Sequence, residues 1–419
     1  MDIAGLFESR KNDPRWNTSY PLNPADWAIY RNPGTLPFDR DKRLSFYIHI
    51  PFCKHLCSFC EYTRILCPNE QLQKKYINAV ANDIRQFKNQ YNDFTLLGFD
   101  IGGGTPTALS DTSFYSLLDV YDEAIAGLSL SDTFEPSIEA TFNTLSNNKL
   151  SRLTRSNIRR LSLGIQSSCE SILKNYSRSI LFETKIKEWL KKAWDAGIKK
   201  INLDLMYGLE GQNTETIACD LNLIAELQPQ QVSLYELRTN MIPCKNIPSK
   251  AELYNQYLLY YEGLTKMGYN ACFGQNTFSV FNEDFGVSSY LRERMLNGAS
   301  YKGFGISAQS MSSVGLSYNK GKVLSVSSSL LSAQSYPEEY TYILPNKELA
   351  AKYMAISAYS GSFSLERLKM FGVNNSILQE ILSFCMSEGL LRDNGHQRFN
   401  VTKKGFKHYG ALFSLFYDL

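Results

Sequence analysis

The sequence predicts an α/β protein built on a parallel sheet, with a smaller and mainly helical domain at its C-terminal end. Two observations support this prediction: six short β-rich runs alternate with longer amphipathic stretches, and a different order of elements follows after about residue 345. Strands that alternate with helices form right-handed βα units around a parallel sheet. An open doubly wound sheet and a barrel both satisfy this pattern.

The predicted strands are six runs rich in β-branched and aromatic residues. They are residues 46–50, 96–101, 137–142, 160–165, 201–207 and 232–237. The segments between them carry apolar residues at three- and four-residue intervals, as Tyr76, Val80 and Ile84 do within 71–90, and this spacing predicts amphipathic helices. A further helix is predicted over 184–196, because a glycine follows it.

Four segments are predicted along the chain: an N-terminal arm (1–43), a core of βα units (44–281), a strand-and-loop connector (282–345) and a C-terminal domain (346–419). In the last segment, helices precede a hairpin and a closing helix, an order that resembles a winged helix. This segment contains nine Lys and Arg against six Asp and Glu and has no basic stripe. The composition therefore favours a packing or substrate-covering role over DNA binding.

The balance of charge predicts that partners bind at a local site and are not attracted by a net charge spread over the protein surface. There are 44 Lys and Arg against 41 Asp and Glu, a net charge of +3, so we expect neither nucleic acid nor an anionic membrane as a partner. The first residues are charged where a secretory signal needs an apolar core, and no apolar run reaches the roughly 18 residues of a spanning helix. We therefore predict a cytoplasmic protein, in which cysteines are more often thiols, ligands or nucleophiles than disulfides.

Three of the nine cysteines, Cys53, Cys57 and Cys60, lie within eight residues directly after the first predicted strand. On a helix, this spacing would place all three thiols on one buried face. Polar and charged residues separate them, however, and Pro51 interrupts the strand before them. The cluster is therefore interpreted as a metal or iron–sulfur site.

The number of thiols narrows the choice of metal. Structural zinc needs four closed ligands, and no second Cys/His pair stands at ligand spacing, although His49 or His55 could complete a zinc tetrahedron. An iron–sulfur cubane held by three thiolates leaves one iron open to an external ligand. An external ligand can bind to such an open iron and react there.

The Cys-x3-Cys-x2-Cys loop resembles the signature of the radical S-adenosylmethionine (SAM) superfamily. Residues 47–53, Tyr-Ile-His-Ile-Pro-Phe-Cys, resemble the HemN-like branch that contains oxygen-independent coproporphyrinogen III oxidase, class C radical SAM methylases and relatives. Further matches follow in order along the chain: 102–107, 137–139, 160–167, Arg178, 201–208, 233–235 and 303–305. The resemblance covers about residues 45–310.

The resemblance implies a partial (βα)6 barrel of the TIM type, with a C-terminal domain of the kind that this branch carries. It implies that Cys53, Cys57 and Cys60 hold a [4Fe-4S] cluster, that SAM binds at the open iron, and that one electron yields a 5′-deoxyadenosyl radical. A low-potential electron donor of the flavodoxin or ferredoxin type is then expected as a partner, together with a small-molecule substrate.

The resemblance also implies a set of contacts with SAM. The residues are Tyr47, Phe59, Gly103, Gly104, Thr105, Glu139, Gln166, Arg178 and Asp204. Tyr47 is also counted, with the three cysteines, among the catalytic residues. A glycine-rich strand end allows the backbone to approach a ligand closely, and polar residues at strand ends of a barrel converge on one face. Asp204 has a structural alternative as the acceptor that caps a helix.

Departures from the branch guide the choice of reaction. Tyr62 stands where the coproporphyrinogen oxidases have a fourth cysteine, and residues 15–21 resemble a modified form of their Tyr-Thr-Ser-Tyr-Pro element. The segment 288–294 lacks the His and Trp of the haem-chaperone motif, so haem trafficking is not expected. Candidate walls for a flat substrate are Phe59, Tyr62, Phe273, Phe278 and Tyr290, and residues 275–277 align with contacts to a second SAM or the substrate.

We therefore expect a radical SAM enzyme that modifies a small conjugated substrate. Methylation of the class C type, with two SAM molecules, is placed ahead of coproporphyrinogen oxidation. A haem- or cluster-binding chaperone without catalytic activity is the alternative of a different class.

Overall fold

The computed structural model describes residues 2–11, 13, 20–178, 183–238, 248–321 and 326–419. It confirms the α/β class, and all six predicted strands are present. The strands are β1 (Arg31–Asn32), β2 (Arg43–Ile50), β3 (Phe52–Cys53), β4 (Ile65–Leu66), β5 (Thr95–Gly103), β6 (Ser129–Leu130), β7 (Ser137–Ala140), β8 (Arg160–Gln166), β9 (Lys200–Tyr207), β10 (Gln231–Glu236), β11 (Thr277–Ser279), β12 (Ser300–Phe304), β13 (Gln309–Ser312), β14 (Gly315–Asn319), β15 (Glu338–Ile343), β16 (Ser362–Ser364), β17 (Leu391–Asp393) and β18 (Arg398–Val401).

Helices follow each of the six predicted strands. The α-helices are α1 (Ile3–Lys11), α2 (Glu70–Gln90), α3 (Asp111–Ile125), α4 (Asn147–Arg155), α5 (Glu170–Asn175), α6 (Glu183–Asp195), α7 (Thr214–Leu227), α8 (Lys250–Lys266), α9 (Ser289–Asn297), α10 (Ser328–Leu331), α11 (Asn346–Ser357), α12 (Leu365–Met370), α13 (Asn375–Ser387), α14 (Lys403–Phe406) and α15 (Tyr409–Ser414). Short 3-10 helices cover Pro24–Tyr30, Pro106–Ala108 and Phe142–Thr144. Among the described residues, none of these helices combines the length and apolar character that crossing a membrane requires.

The central sheet contains a parallel block in the order β2, β5, β7, β8, β9 and β10. The whole sheet runs from β1 at one edge to β11 at the other, and the described strands show no pairing that joins these edges into a closed barrel. This is the arrangement of a partial barrel. Because all six strands of the block are parallel, their carboxyl ends meet on one side, where a site is built.

The segment predicted as a connector, 282–345, contributes strands to this same sheet. Strand β12 pairs in parallel with β2, and β13, β14 and β15 extend the sheet in antiparallel fashion. The sheet therefore continues past residue 281, where the boundary of the core was expected. Periodicity could not reveal this, because the pairing of β12 with β2 joins residues about 250 positions apart in the chain.

The N-terminal arm packs against the C-terminal domain. Phe7 on α1 contacts Phe384 on α13 with ring centroids 5.7 Å apart, and the guanidinium of Arg10 donates to the backbone oxygen of Ser414 at 2.6 Å. Strand β1 pairs with β15. The element 15–21, which resembles part of the coproporphyrinogen oxidases, falls largely outside the described residues.

The C-terminal domain has the predicted winged-helix order. Helices α11, α12 and α13 precede the hairpin of β17 and β18, and β16 pairs with β18 to complete a three-stranded sheet. The turn between β17 and β18 contains Gly395, whose φ of 77° favours glycine. Phe363 stacks on Phe399 across this small sheet at a centroid distance of 5.6 Å.

Candidate active site

The three cysteines lie in a loop whose two ends are joined by the pairing of two short strands. Cys53 ends β3, which pairs with β4, and the backbone N–H of Cys67 donates to the oxygen of Cys53 at 2.9 Å. Residues 54–64 therefore form an excursion whose two ends are held together. The loop contains no helix, so the thiols do not share a buried helical face and the core-packing alternative is wrong.

Two thiols have defined polar neighbours. The hydroxyl of Thr105 donates to Sγ of Cys53 at 3.7 Å, and Nη1 of Arg178 donates to Sγ of Cys57 at 3.5 Å. Burial raises the pKa of Cys53 to about 11 and also raises the pKa of Cys60, with a smaller contribution from the neighbouring thiols. A metal that binds these sulfurs must displace their protons, so loading of the site is favoured at higher pH.

His49 is not available as a fourth ligand. Its Nε2 lies 2.9 Å from the backbone oxygen of Thr63 and its Nδ1 lies 3.3 Å from the hydroxyl of Tyr47, so both ring nitrogens are engaged. Burial lowers the pKa of His49 to about 4, which keeps the ring neutral. His55 is exposed on the cysteine loop.

The donor set fits an iron–sulfur cluster better than a single ion. Among the described residues, no three Cys, His, Asp or Glu side chains lie close enough together to hold one metal ion. Three thiols that each bind a different iron of a cubane need not meet at one point. Cys53, Cys57 and Cys60 are therefore the residues that would hold the cluster that the resemblance implies.

The end of strand β5 approaches a buried carboxylate closely. The backbone N–H of Gly103 donates to Oε2 of Glu139 at 3.0 Å, and a Cβ on Gly102 would lie 2.6 Å from the carboxyl carbon of Glu139. Gly103 has a φ of 110°, and a Cβ there would lie 2.4 Å from the ring of His49. Glycine is required at 103, where the backbone conformation and the His49 ring leave no place for a side chain, and a side chain at 102 would displace the carboxylate of Glu139.

The residues after these glycines are fastened to the cysteine strand. The N–H of Gly104 donates to the oxygen of Ile50 at 2.8 Å, and the N–H of Thr105 donates to the oxygen of Phe52 at 2.7 Å. Lys149, which is buried, donates from Nζ to the backbone oxygens of Thr107, Leu109 and Thr144. The glycine-rich loop and the cysteine loop thus form one connected unit.

Three carboxylates line the interior of the partial barrel near this unit. Glu139 is exposed to solvent although it lies on a central strand, and burial among the surrounding protein still raises its pKa to about 7, with Asp204 and Asp100 adding to the effect. Both observations indicate that the Glu139 side chain lies in the deep, open interior of the partial barrel, which we call the lumen. Burial likewise raises the pKa of Asp100 to about 7. A lumen with this charge suits a ligand that carries a cation, such as an ammonium or a sulfonium.

Asp100 was not among the residues predicted from sequence. It lies two positions before Gly102 and therefore on the same face of β5, and an acidic residue inside the apolar run 96–101 was the available signal. Asp204 accepts hydrogen bonds from Ser162 Oγ at 3.1 Å and Asn202 Nδ2 at 2.7 Å. It caps no helix and lies within β9, not at its end.

Gln166 and Arg178 lie on either side of the same turn. Gln166 ends β8 with a φ of 68°, after a shift in the register between Gly164 and Gln166. Nη2 of Arg178 donates to the oxygen of Gly164 while Nη1 contacts Cys57, so Arg178 connects strand β8 with the cysteine loop. Its guanidinium also lies 6.0 Å from the centroid of the Phe59 ring.

The buried Asp220, which sequence reasoning missed, holds the chain just after this turn. Its carboxylate accepts from the hydroxyls of Ser167, Ser168 and Tyr260 and from the backbone N–H of Ser168. The turn that carries Gln166 is thereby fixed.

The predicted substrate walls separate into two groups. Tyr47 stacks on Tyr290 with centroids 5.7 Å apart and planes at 18°, and Tyr62 is 58% exposed next to the cysteine loop. Phe278 is instead fully buried in the core and Phe273 packs against that core, and both rings contact Tyr261. Of residues 275–277, Gln275 and Thr277 are engaged with each other, since Nε2 of Gln275 donates to the oxygen of Thr277 at 2.7 Å, whereas Oδ1 of Asn276 is buried without a partner among the described residues.

Residues 47–224 match the model of the Radical SAM superfamily. The heme chaperone HemW of Lactococcus lactis is 26% identical over 398 residues, which cover 89% of this chain and 97% of that protein. The oxygen-independent coproporphyrinogen III oxidase of Salmonella typhimurium is 29% identical over 240 residues, which span 56% of this chain and about half (51%) of that protein.

Among solved structures, the coproporphyrinogen III oxidase HemN of Escherichia coli has the same fold. The TM-score is 0.73 at 22% identity, and the match covers 90% of each chain. The comparisons support the HemN-like branch but not the prediction of a class C methylase. The absence of the haem-chaperone motif from segment 288–294 leads to the expectation that the chain does not traffic haem. The similarity to a heme chaperone nevertheless extends over 89% of this chain.

Proposed function

We propose that the chain is a member of the radical SAM superfamily, in the HemN-like branch that it resembles, and that it is an enzyme that cleaves SAM reductively and acts on a tetrapyrrole. The observation that carries the proposal is the junction of the three-cysteine loop with the acidic lumen through Gly103 and Glu139. The junction supports the proposal because the three thiols that would bind iron lie beside a region suited to a cationic ligand. The proposal also requires a low-potential electron donor of the flavodoxin or ferredoxin type and a reducing compartment such as the cytoplasm.

The residues of the chain have separate tasks in this proposal. Cys53, Cys57 and Cys60 would hold a [4Fe-4S] cluster, which supplies one electron for the cleavage of SAM to methionine and a 5′-deoxyadenosyl radical. Glu139, held by the N–H of Gly103, binds the cationic part of SAM in its ionised form. Arg178 fixes the cysteine loop against β8.

The choice of a tetrapyrrole is supported by the names of two relatives. One is a chaperone for heme and the other an oxidase of coproporphyrinogen III, so the ligands named for both are tetrapyrroles. Exposed aromatic surface beside the cysteine loop, at Tyr62, suits a flat conjugated ligand.

A second candidate is a haem-binding chaperone. It is supported by the Lactococcus lactis relative, whose similarity extends over 97% of its length. The chain offers little imidazole for an axial haem ligand: both nitrogens of His49 are engaged, His396 is exposed in the C-terminal hairpin, and His408 packs against Phe7. Only His55 on the cysteine loop is both exposed and close to the site.

The experiment is an anaerobic assay of reconstituted, reduced protein with SAM and coproporphyrinogen III. We expect 5′-deoxyadenosine together with a modified tetrapyrrole, whose mass identifies the reaction: loss of carbon dioxide for decarboxylation, or gain of a methyl group with S-adenosylhomocysteine for methylation. Tight haem binding without 5′-deoxyadenosine above a Cys53→Ala control would contradict the enzyme and favour the chaperone.

A further inference from the structure

Helix α9 lies inside the barrel, against the strand that carries the glycine-rich end. A Cβ on Gly98 of β5 would lie 2.3 Å from the backbone nitrogen of Tyr290, so the helix touches the strand directly. The hydroxyl of Ser288, which caps α9, donates to Asp100 at 2.6 Å. With Tyr290 stacked on Tyr47, α9 therefore forms part of the wall of the lumen.

Arg294 on this helix is held in a fixed position by tyrosines. Nη1 donates to the hydroxyl of Tyr290 at 2.8 Å and Nη2 donates to the hydroxyl of Tyr301 at 3.2 Å. The guanidinium also lies 4.0 Å from the centroid of the Tyr301 ring. These contacts restrain a side chain that otherwise has many rotamers, so its orientation is prepared in advance.

Arg294 has no acidic partner within ion-pair distance in the part of the chain that the structure describes. Arg152, by comparison, pairs with both Asp119 and Asp122. Two of the five N–H groups of Arg294 are donated to phenols, and Nε is buried without an acceptor. The remaining N–H groups on the two Nη atoms have no acceptor among the residues that the structure describes.

A half-buried guanidinium without a counter-ion is costly, because removing a charge from water must be balanced by another interaction. The lumen carboxylate of Asp100 is influenced by the charge of Arg294 but does not lie within ion-pair distance of it. Its Oδ2 already accepts from Ser288, and burial raises its pKa to about 7, which reduces its negative charge at neutral pH. The counter-ion for Arg294 is therefore best supplied from outside the chain.

We propose that Arg294 binds a carboxylate of the ligand that enters the lumen. The inference rests on the proposed function, since it assigns an anchoring point for an acidic side chain of a tetrapyrrole. The planar guanidinium suits a carboxylate through parallel N–H···O bonds, and the rings of Tyr290 and Tyr301 exclude water around that contact.

The test measures binding of coproporphyrin III, which carries four carboxylates, and of its tetramethyl ester, which carries none. The variants are Arg294→Met, Arg294→Lys and Arg292→Met, all in the cluster-loaded full chain. Arg292 is a matched control on the same helix, because it donates to Thr133 and pairs with Glu293. Thermal unfolding verifies that each variant is folded.

We expect Arg294→Met to weaken the binding of coproporphyrin III about tenfold or more, because a charge-assisted contact is lost. Binding of the ester should be unchanged, Arg294→Lys should lie in between, and Arg292→Met should match the wild type. An equal loss for acid and ester would mean a structural role for Arg294 and would overturn the inference. Unchanged acid binding would overturn it too, while the proposed function would stand; absence of any binding by the wild type would overturn both.

Discussion

The backbone N–H of Gly103 donates to the carboxylate of Glu139 across 3.0 Å, which joins the glycine-rich end of β5 to the neighbouring strand β7. The contact is possible because glycine leaves room at position 102 for the carboxylate and at position 103 for the ring of His49. It fixes Glu139 beside the cysteine loop while leaving the side chain open to the lumen. The pKa of Glu139, about 7, then makes its charge responsive to pH near neutrality.

We predict that affinity for SAM depends on pH through Glu139. Since its pKa is raised by burial, the carboxylate is largely protonated below about pH 7 and ionised above it, so affinity for the cationic ligand increases as pH rises from about 6 to 8. Glu139→Gln should lower the affinity at pH 8 and flatten the profile in a calorimetric titration. The exposed Glu123→Gln, whose partner is Arg85, serves as control and should keep the wild-type profile.

The same shift predicts an effect on stability. A carboxyl group whose pKa rises from 4.5 in the unfolded chain to about 7 binds its proton more tightly when folded, so stability decreases as pH rises through that interval. Glu139→Gln should remove this decrease. Denaturant unfolding at pH 5 and pH 8 measures it, and an identical pH dependence in both proteins would contradict the assigned pKa.

Each of the three clustered cysteines should be needed for iron binding. Cys53→Ala, Cys57→Ala and Cys60→Ala should each reduce bound iron from about four atoms per chain to a small fraction, with loss of the charge-transfer absorbance of the cluster. Cys67→Ala is the control, because this thiol donates to the oxygen of Ala108 and lies outside the set. Full iron content in any of the three variants would exclude that cysteine as a ligand.

Lys149 should be important for stability although it does not touch the lumen. Its buried ammonium donates to three backbone oxygens around the glycine-rich loop, and Lys149→Met leaves these without a partner. We expect the free energy of unfolding to decrease by about 2–4 kcal/mol. Lys88→Met, which removes contacts with two surface carbonyls, should cost less than about 1 kcal/mol. Equal losses in the two variants would contradict the role assigned to Lys149.

Glu348 should anchor the N-terminal arm to the C-terminal domain. Its carboxylate accepts from the hydroxyl of Tyr20 at 2.6 Å, the indole N–H of Trp27 at 3.0 Å and the hydroxyl of Tyr30 at 3.3 Å. Glu348→Gln replaces one acceptor oxygen with a donor, so we expect a decrease of about 1–3 kcal/mol in the free energy of unfolding and faster proteolysis of the arm. The exposed Glu366→Gln is the control. An arm that resists protease as well as the wild type does would argue against this anchor.

Local signals predicted much of the fold and several site residues. Sequence patterns predicted the six strands, the helices after them and the winged-helix order of the last domain, because hydrophobic periodicity and turn residues act within a few positions of the chain. The spacing of Cys53, Cys57 and Cys60 was likewise a local pattern. Its interpretation as a cluster site is supported by the loop that contains them and by the engaged ring of His49.

Other features depend on contacts that no local pattern records. The pairing of β12 with β2 extends the sheet through the segment expected to be a connector, and Asp100 and Asp220 reach the site through residues distant in sequence. Local patterns also could not show that Phe273 and Phe278, predicted as substrate walls, pack in or against the core, because the burial of a ring depends on which residues the rest of the chain places around it.

The sequence by itself determined the α/β class, the three-thiol loop and the glycine-rich strand end, since each follows from the chemistry of adjacent residues. Only the tertiary structure decided that Glu139 faces an open lumen with a pKa near neutrality and that Arg294 lies among tyrosines, with no acidic partner within ion-pair distance among the described residues. The physical reason is that burial and charge compensation are properties of a surrounding volume, and residues from many parts of the chain fill that volume.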